Sequence, residues 1–146
     1  MPATKMNNLS GKEWLQNSFT IWRDIRKSKD EAKLKHPAMF PQSLVEKLID
    51  IYTKDPGEII LDPFLGSGST LLAAMNKGKK GIGIELSDEY IKLSKSRVKS
   101  FQLDLLNDQK ILTPKIIKDD AHNLSKHIKP ESVDLMVTSP PYWDIL

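Results

Sequence analysis

Short apolar segments alternate with helical segments from residue 59 onward, and this alternation constrains the fold more than any other feature of the sequence. Four strands are predicted, at 59–61, 81–84, 115–118 and 133–137. A helix predicted over Thr70–Lys77 is closed by Gly78, and Ser87 is placed to cap another helix after the second strand. Strands that alternate with helices in this way predict an α/β fold with a doubly wound parallel sheet.

Composition narrows the classes of function. The chain has 146 residues, enough for one domain with a buried core. It has no cysteine, which excludes disulfides and thiolate metal sites, and its three histidines do not cluster, so we expect no metal. No apolar run approaches the roughly 18–20 residues that span a membrane, so no membrane span is expected. The net charge of +3 permits a nucleic-acid partner without requiring one.

The region before the first strand is predicted to be a helical and basic extension. Residues 1–9 form a loose terminus, and Ser10 with Glu13 has the pattern of a capping box that starts a short helix. The segment 23–35 holds six bases and three acids, which favours a solvated helix or linker; the alternative is an arm that contacts DNA phosphates.

A proline-rich segment follows this extension. HPAMFP, residues 36–41, predicts an extended loop, and Pro41 is placed to open the next helix. An apolar face is predicted on that helix at i, i+4, i+7 and i+8, formed by Leu44, Leu48, Ile51 and Tyr52.

A glycine-rich turn, DPFLGSGST over Asp62–Thr70, lies where the first strand gives way to a helix. Gly66 and Gly68 allow the backbone to approach a ligand, and the helix N-terminus with the hydroxyls of Ser69 and Thr70 is suited to an anionic group. A phosphate loop requires a lysine that is absent, and a dinucleotide fingerprint requires a third glycine where Leu71 stands. The alternative is a tight turn that binds nothing.

Acidic residues end the second and third predicted strands. Glu85 is nineteen residues after Gly66, where a carboxylate is able to accept hydrogen bonds from two ribose hydroxyls. Asp119-Asp120-Ala-His122 ends the third strand, where a carboxylate is able to accept from an adenine amino group, although a surface turn explains it equally well. Together these features predict an adenosine with a polar tail that is not a phosphate, which indicates S-adenosylmethionine.

The last predicted strand runs into TSPPYW. An exocyclic amino group of cytosine or adenine is a poor nucleophile, and it needs acceptors for its hydrogens as it turns tetrahedral. The Ser139 hydroxyl and the Pro140 carbonyl supply such acceptors, the prolines stiffen the turn, and Tyr142 is able to stack on a flipped base. The alternative is a proline turn that closes a strand, with Tyr142 in the core.

In this fixed order, DPFLGSGST, GIGIEL, DDAHNL and TSPPYW resemble the motifs of the amino-methylating DNA methyltransferases, which make N4-methylcytosine or N6-methyladenine. The stretch from SGKEW to KHPAMFP also resembles the opening of one bacterial and archaeal group of DNA methylases. The resemblance implies a Rossmann-like sheet of the class I methyltransferase type, a cytoplasmic enzyme, and DNA methylation of the restriction–modification kind. It also implies that S-adenosylmethionine is the methyl donor and that the partner is DNA with its target base flipped out.

The resemblance also implies roles for individual residues. The cofactor-binding residues are expected to be His36, Pro37, Phe40, Asp62, Pro63, Phe64, Gly66, Gly68, Ser69, Thr70, Glu85, Leu86, Asp120 and Ala121. The catalytic residues are expected to be Ser139, Pro140, Pro141 and Tyr142. In the family a serine before the prolines mostly accompanies cytosine N4, whereas Asp or Asn mostly accompanies adenine N6, which favours cytosine here.

The resemblance covers only part of a family member. Family members continue beyond this motif with more strands and with segments that read the target sequence. We therefore expect an extension over 1–35 and, over 36–146, the cofactor-binding and catalytic-loop part of the domain, with about four strands in the order 3-2-1-4. We expect the chain to be an N-terminal fragment, a truncated gene product, or a split half that pairs with a second chain. Three interpretations stay open: a cytosine-N4 enzyme, an adenine-N6 enzyme, and a non-catalytic half that binds cofactor or DNA.

Overall fold

A parallel sheet forms the centre of the molecule. The computed structural model describes residues 5–19, 21–34, 39–105 and 112–141. Within these residues the sheet has four strands in the order β3-β2-β1-β4, all parallel, which confirms the predicted fold and order. The strands are β1 Ile59–Asp62, β2 Lys80–Glu85, β3 Lys115–Lys118 and β4 Leu135–Met136.

The strand boundaries differ most from prediction at β4. The third strand is as predicted, the first two are slightly longer, and β4 pairs over two residues where five were expected. Its register with β1 is Ile60↔Leu135 and Leu61↔Met136. The apolar run 133–137 matches a strand in composition, but only 135 and 136 are paired with residues of β1, and the N–H groups of Asp134 and Val137 donate to β1 on either side of them.

Helices cover the sheet and the approach to it. Their bounds are α1 Gly11–Asn17, α2 Lys29–Lys33, α3 Gln42–Tyr52, α4 Ser69–Asn76, α5 Asp88–Leu105 and α6 Leu124–His127, and a 3-10 turn over Ala121–Asn123 precedes α6. The predicted capping box is confirmed at α1, where the Ser10 hydroxyl accepts from the Glu13 N–H and the Glu13 carboxylate accepts from the Ser10 N–H. Helix α4 ends before Gly78, whose left-handed φ of 64° suits a glycine.

The core lies on both sides of α4. One cluster joins α3, α4 and β1 through Val45, Ile49, Ile60, Ala73 and Ala74. A second cluster joins α4 and α5 to the turn after β1 through Leu65, Leu71, Leu72, Met75 and Val98. Seven of the eight residues of α4 are buried, so this helix is the central support of the turn that precedes it.

The apolar face predicted for α3 was partly wrong. Ile51 is buried as expected, but Tyr52 is 51% exposed, and Val45 and Ile49 are the most deeply buried residues of the helix. Leu44 and Leu48 lie at intermediate depth. A helix rich in apolar residues fits a 3.6-residue period in more than one phase, and the position of α4 decides which phase faces the core.

The extension before α3 packs onto that helix. The buried Glu31 carboxylate accepts the Gln42 N–H at 2.7 Å, and Lys47 pairs with Asp24 while its ammonium lies 5.0 Å from the Trp22 ring centre. These two acids of the basic segment are therefore used in contacts to α3. The expected boundary at 35/36 falls among residues outside the described part, and the division into 1–35 and 36–146 stays a prediction.

Across the described ranges, no helix combines the length and the apolar character that crossing a membrane requires. The same residues contain no group of three or more histidine or acidic side chains that is arranged to hold a metal ion.

Candidate functional site

A cavity of about 490 Å³ lies at the carboxyl ends of the strands, within the size range of small-molecule sites. It is bounded by the turn between β1 and α4, by the ends of β2 and β3, and by the segment after β4. The strand order reverses beside β1, and in open α/β sheets ligands bind at such a switch point. The predicted site residues that line the cavity are Phe40, Pro63, Phe64, Gly66, Ser69, Glu85, Leu86, Asp120, Ala121, Ser139, Pro140 and Pro141.

Several predicted site residues lie elsewhere. Asp62, Gly68 and Thr70 are buried behind the turn and are not part of the cavity wall. The predicted roles of His36, Pro37 and Tyr142 concern residues outside the described part of the chain, so they stay predictions.

Glu85 is held by backbone donors on both carboxylate oxygens. Its Oε2 accepts the Gly66 N–H at 2.7 Å, and its Oε1 accepts the Ser87 N–H at 2.8 Å. A carboxylate has about four acceptor positions, so two hydrogen bonds leave capacity for a ligand. The side chain is thereby fixed in orientation at the cavity wall and is still able to accept from hydroxyl groups.

Asp62 supports the glycine-rich turn from behind. It is 1% exposed; its Oδ2 accepts the Thr70 hydroxyl at 2.6 Å, and its Oδ1 accepts the Phe64 N–H at 3.1 Å. Burial raises the pKa of Asp62, and the hydrogen bond from Thr70 opposes that shift. The predicted use of the Thr70 hydroxyl for an anionic group is therefore corrected, because this hydroxyl is buried and donates to Asp62.

The two glycines of the turn serve different purposes. Gly66 has φ 53° and lines the cavity, in agreement with close approach to a ligand. Gly68 has φ 88°, and a Cβ there would lie 3.0 Å from the Ser94 Cβ and 3.4 Å from the Ser94 Cα on α5. The ligand approach predicted for Gly68 stays a prediction, and its lack of a side chain lets the turn pack against α5.

Arg97 of α5 braces the same turn, and sequence reasoning missed it. Its Nη1 donates to the Ser67 carbonyl at 2.7 Å and lies within 3.4 Å of the hydroxyls of Ser67 and Ser69. Arg97 is about thirty residues from the turn and belongs to no recognisable motif, so no signal in the sequence marks this contact.

The end of β3 forms a compact acidic turn. Asp119 accepts from the Asp120 N–H at 2.8 Å and the Asn123 amide at 2.7 Å, and its Oδ2 lies 2.6 Å from the His127 Nε2. These hydrogen bonds, led by the one to His127, lower the pKa of Asp119 to about 2. Asp119 lines the cavity beside the predicted Asp120, whose own carboxylate accepts the His122 N–H at 2.9 Å. Asp119 was missed as a site residue because only one of two adjacent acids was assigned.

The segment after β4 also lines the cavity, through Ser139, Pro140 and Pro141. The prolines are exposed and Ser139 is partly buried. The sheet therefore brings the glycine-rich turn, the two acidic strand ends and the Ser-Pro-Pro segment together around one space.

The chain belongs to the family of DNA methylases that includes N6 and N4 methyltransferases, since the model of that family matches residues 2–96. This confirms the resemblance drawn from the motifs. The chain is 39% identical over 100 residues to the type II methyltransferase M.BglI of Bacillus subtilis, covering 66% of this chain and 27% of that enzyme. It is 37% identical over 100 residues to the DNA adenine methyltransferase YhdJ of Escherichia coli K12, covering 68% of this chain and 32% of YhdJ.

A solved structure supports the fold. TTHA0409 of Thermus thermophilus, described as a putative DNA modification methylase and complexed with S-adenosyl-L-methionine, superposes with a TM-score of 0.53 at 27% identity. The superposition covers 75% of this chain and 38% of TTHA0409. The chain thus spans about a third of the length of the curated relatives described above and somewhat more of this solved structure.

Proposed function

We propose that this chain binds S-adenosylmethionine in the cavity and carries the catalytic motif of a DNA amino-methyltransferase. The observation that carries the proposal is the cavity itself, which is lined both by a backbone-anchored carboxylate, Glu85 at the end of β2, and by the Ser139–Pro141 segment, which follows β4 on the other side of β1. The family assignment and the likeness to TTHA0409 in its S-adenosyl-L-methionine complex support the same ligand.

The residues around the cavity fit this methyl donor. Glu85 would accept from the ribose hydroxyls and Asp120 from the adenine amino group, since both carboxylates line the wall. Phe40, Phe64 and Leu86 give the wall an apolar surface, which suits an uncharged ring system better than a phosphate. When bound, S-adenosylmethionine supplies a methyl group made electrophilic by its sulfonium.

The Ser139–Pro141 segment is proposed to act on the receiving base. The Ser139 hydroxyl and the Pro140 carbonyl accept hydrogen bonds from the exocyclic amino group, which turns the nitrogen lone pair out of conjugation with the ring. Two consecutive prolines restrict φ and lack N–H groups, so the carbonyls are held in place before the base arrives. No residue of the chain needs to form a covalent bond to the base.

Cytosine N4 is the proposed acceptor, because in the amino-methylating DNA methyltransferases a serine before the two prolines mostly occurs in enzymes that act on cytosine. Adenine N6 is the second candidate, and the 37% identity to the adenine methyltransferase YhdJ favours it. Both acceptors present an exocyclic amino group to the same two oxygens, so the product has to be identified by chemical analysis.

Cofactor binding is tested by calorimetric titration of the full chain with S-adenosylmethionine. Glu85→Gln keeps the size of the side chain, but its NH2 group replaces one of the two oxygens that accept backbone N–H groups. We expect an affinity loss of at least tenfold, because hydrogen bonds to charged groups contribute about 1.5–3 kcal/mol. Glu89→Gln, the same change at an exposed position of α5, should bind as wild type does. If wild type does not bind, or Glu85→Gln binds equally well, the proposed pocket is wrong.

Methyl transfer is tested with labelled S-adenosylmethionine and DNA, followed by nucleoside analysis. Label in N4-methylcytosine is the expected result, whereas label in N6-methyladenine would establish the second candidate. Ser139→Ala should keep the affinity for S-adenosylmethionine and lower the transfer rate by roughly tenfold or more, the size of effect seen when one preorganised hydrogen-bonding group is removed. Label in neither nucleoside would refute transfer by this chain and favour a non-catalytic binding role.

A further inference from the structure

One carboxylate organises the turn that follows β3. Asp119 Oδ1 accepts from the Asp120 N–H and from the Asn123 side chain, and Oδ2 lies 2.6 Å from the His127 Nε2. The Asp119 N–H in turn donates to the Glu85 carbonyl at 3.2 Å. This one residue therefore links the end of β2, the acidic turn and α6.

His127 lies behind the cavity wall. It is not among the residues that line the cavity, whereas Asp119, Asp120 and Ala121 are. The side chains of both Asp119 and His127 are 26% exposed, so their contact is partly shielded from water and is stronger than a fully exposed pair. His127 is thus in a position to influence a ligand only through Asp119.

Asp119 and Asp120 are adjacent acids that are held by different donors. Backbone and side-chain hydrogen bonds from His122 lower the pKa of Asp120, and the negative charge of Asp119 opposes that shift. His127 supplies the donor to the Asp119 Oδ2. Without that donor, Oδ2 would lose its hydrogen-bond partner in the turn, and the turn would lose its connection to the end of α6.

We propose that His127 and Asp119 form a positioning pair that fixes Asp120 and Ala121 for the adenine end of the methyl donor. The inference rests on the proposed function, because it assigns Asp120 to the adenine amino group. His127 is a positioning residue and does not touch the ligand. Its Nε2–H holds Asp119, and Asp119 holds the backbone of the residues that line the cavity.

The experiment compares His127→Ala and His127→Gln with wild type, in the full chain. The glutamine amide supplies an N–H donor of similar reach, so His127→Gln should bind within about threefold of wild type. His127→Ala should weaken S-adenosylmethionine binding roughly tenfold, the effect of losing a hydrogen bond to a charged group. Lys126→Ala, an exposed neighbour on the same helix, should bind as wild type does.

A fragment of the ligand tests whether the effect lies at the adenosine end, while recovery of binding in His127→Gln distinguishes positioning from general loosening of the fold. 5′-Methylthioadenosine keeps the adenosine and lacks the amino-acid tail, so its affinity should fall by the same factor as that of S-adenosylmethionine in His127→Ala. Equal binding of both ligands by His127→Ala and wild type would overturn the inference, and so would a loss confined to S-adenosylmethionine. If wild type binds neither ligand, the proposed function itself is wrong. That result is distinguishable from failure of the inference about His127, in which wild type binds both ligands and His127→Ala binds them equally well.

A second variant covers the case in which His127→Ala does not fold. Asp119→Asn keeps the shape of the side chain and removes the charge, so it should weaken binding of both ligands in the same proportion. If Asp119→Asn folds and binds both ligands as tightly as wild type, the pair does not position the turn.

Discussion

The two sides of the cavity, which we propose to bind the cofactor and the target base, are held in different ways. On the cofactor side, formed by Gly66–Ser69, Glu85–Ser87 and Asp119–Ala121, the Glu85 carboxylate accepts the Gly66 N–H and the Glu85 carbonyl accepts the Asp119 N–H, so all three segments are joined. On the base side, formed by Ser139–Pro141, the segment follows a strand that pairs with β1 over two residues. The cofactor side is cross-linked between segments, whereas the base side depends on one short ladder and on the stiffness of two prolines.

This difference indicates how the two sides respond to mutation. A change on the cofactor side removes contacts between distant segments, so it should reduce both the stability of the fold and the affinity for the cofactor. A change on the base side should move the catalytic motif and leave the cofactor side as it is. The predictions below test that separation.

The largest effect is expected for Gly68→Ala on the cofactor side. The new Cβ would meet Ser94 at 3.0 Å, and the φ of 88° is unfavourable for any residue with a side chain. The strain and the crowding together should lower the free energy of unfolding by on the order of 3 kcal/mol, measured by urea denaturation.

Two other glycines are the controls for Gly68→Ala. Gly78→Ala has a φ of 64° but no atom within 4 Å of the new Cβ, so it should cost only the strain, roughly 1–2 kcal/mol. Gly11→Ala has neither problem and should not destabilise the fold. If Gly68→Ala unfolds at the same urea concentration as Gly11→Ala, the packing of the turn against α5 is not as described.

A smaller effect is expected for Asp134→Ala, at the start of the strand that leads to the base side. The Asp134 Oδ2 accepts the Ile59 N–H at 2.7 Å, and the Asp134 N–H donates to the Ile59 carbonyl at 3.0 Å, which together begin the pairing of β1 with β4. Loss of the side-chain acceptor should lower the free energy of unfolding by about 1 kcal/mol. The rate of methyl transfer should fall while the affinity for S-adenosylmethionine stays unchanged.

Asp134→Asn is the matched variant, because its amide oxygen is still able to accept the Ile59 N–H. It should recover most of the stability and most of the transfer rate. A loss of cofactor affinity in Asp134→Ala that equals its loss of transfer would show that the two sides are not held independently.

The smallest effect is a pH dependence on the cofactor side. The pKa of Asp119 is lowered from an ordinary 3.8 to about 2 by its hydrogen bonds, so its ionised form stabilises the native state. That contribution is complete above the unfolded-state pKa and is lost as the pH falls from about 4 to about 2. Wild type should therefore exceed Asp119→Asn in melting temperature at neutral pH, and the difference should shrink over that interval. A difference that stays constant from neutral pH down to the acid end of that interval would contradict the lowered pKa.

Much of the architecture was predictable because it depends on local patterns. The capping box at Ser10 and Glu13, the four strand positions and the turn after β1 are each encoded within a few adjacent residues. The order 3-2-1-4 came with the family resemblance, and the structure confirms it. The acids at the ends of β2 and β3 were also expected at the cavity, because parallel strands bring their carboxyl ends to one edge of the sheet.

Other features had no local signal. The face of α3 that becomes buried depends on where α4 packs, and the Thr70 hydroxyl turns inward because Asp62 lies beneath it. Arg97 reaches Ser67 from thirty residues away. These contacts join segments that are distant along the chain, so they exist only after the sheet has formed.

The sequence by itself determined the succession of strands and helices along the chain, the family, and the types of residue that lie at one edge of the sheet. Only the tertiary structure decided which of them face the cavity and which support it from behind. Glu85 and Asp119 are both acids at strand ends, yet one holds the turn after β1 through Gly66, and the other holds its own turn with the help of His127. The reason is physical. The end of a strand fixes the backbone position of an acidic residue, and the hydrogen-bond donors around its side chain fix the orientation of the carboxylate.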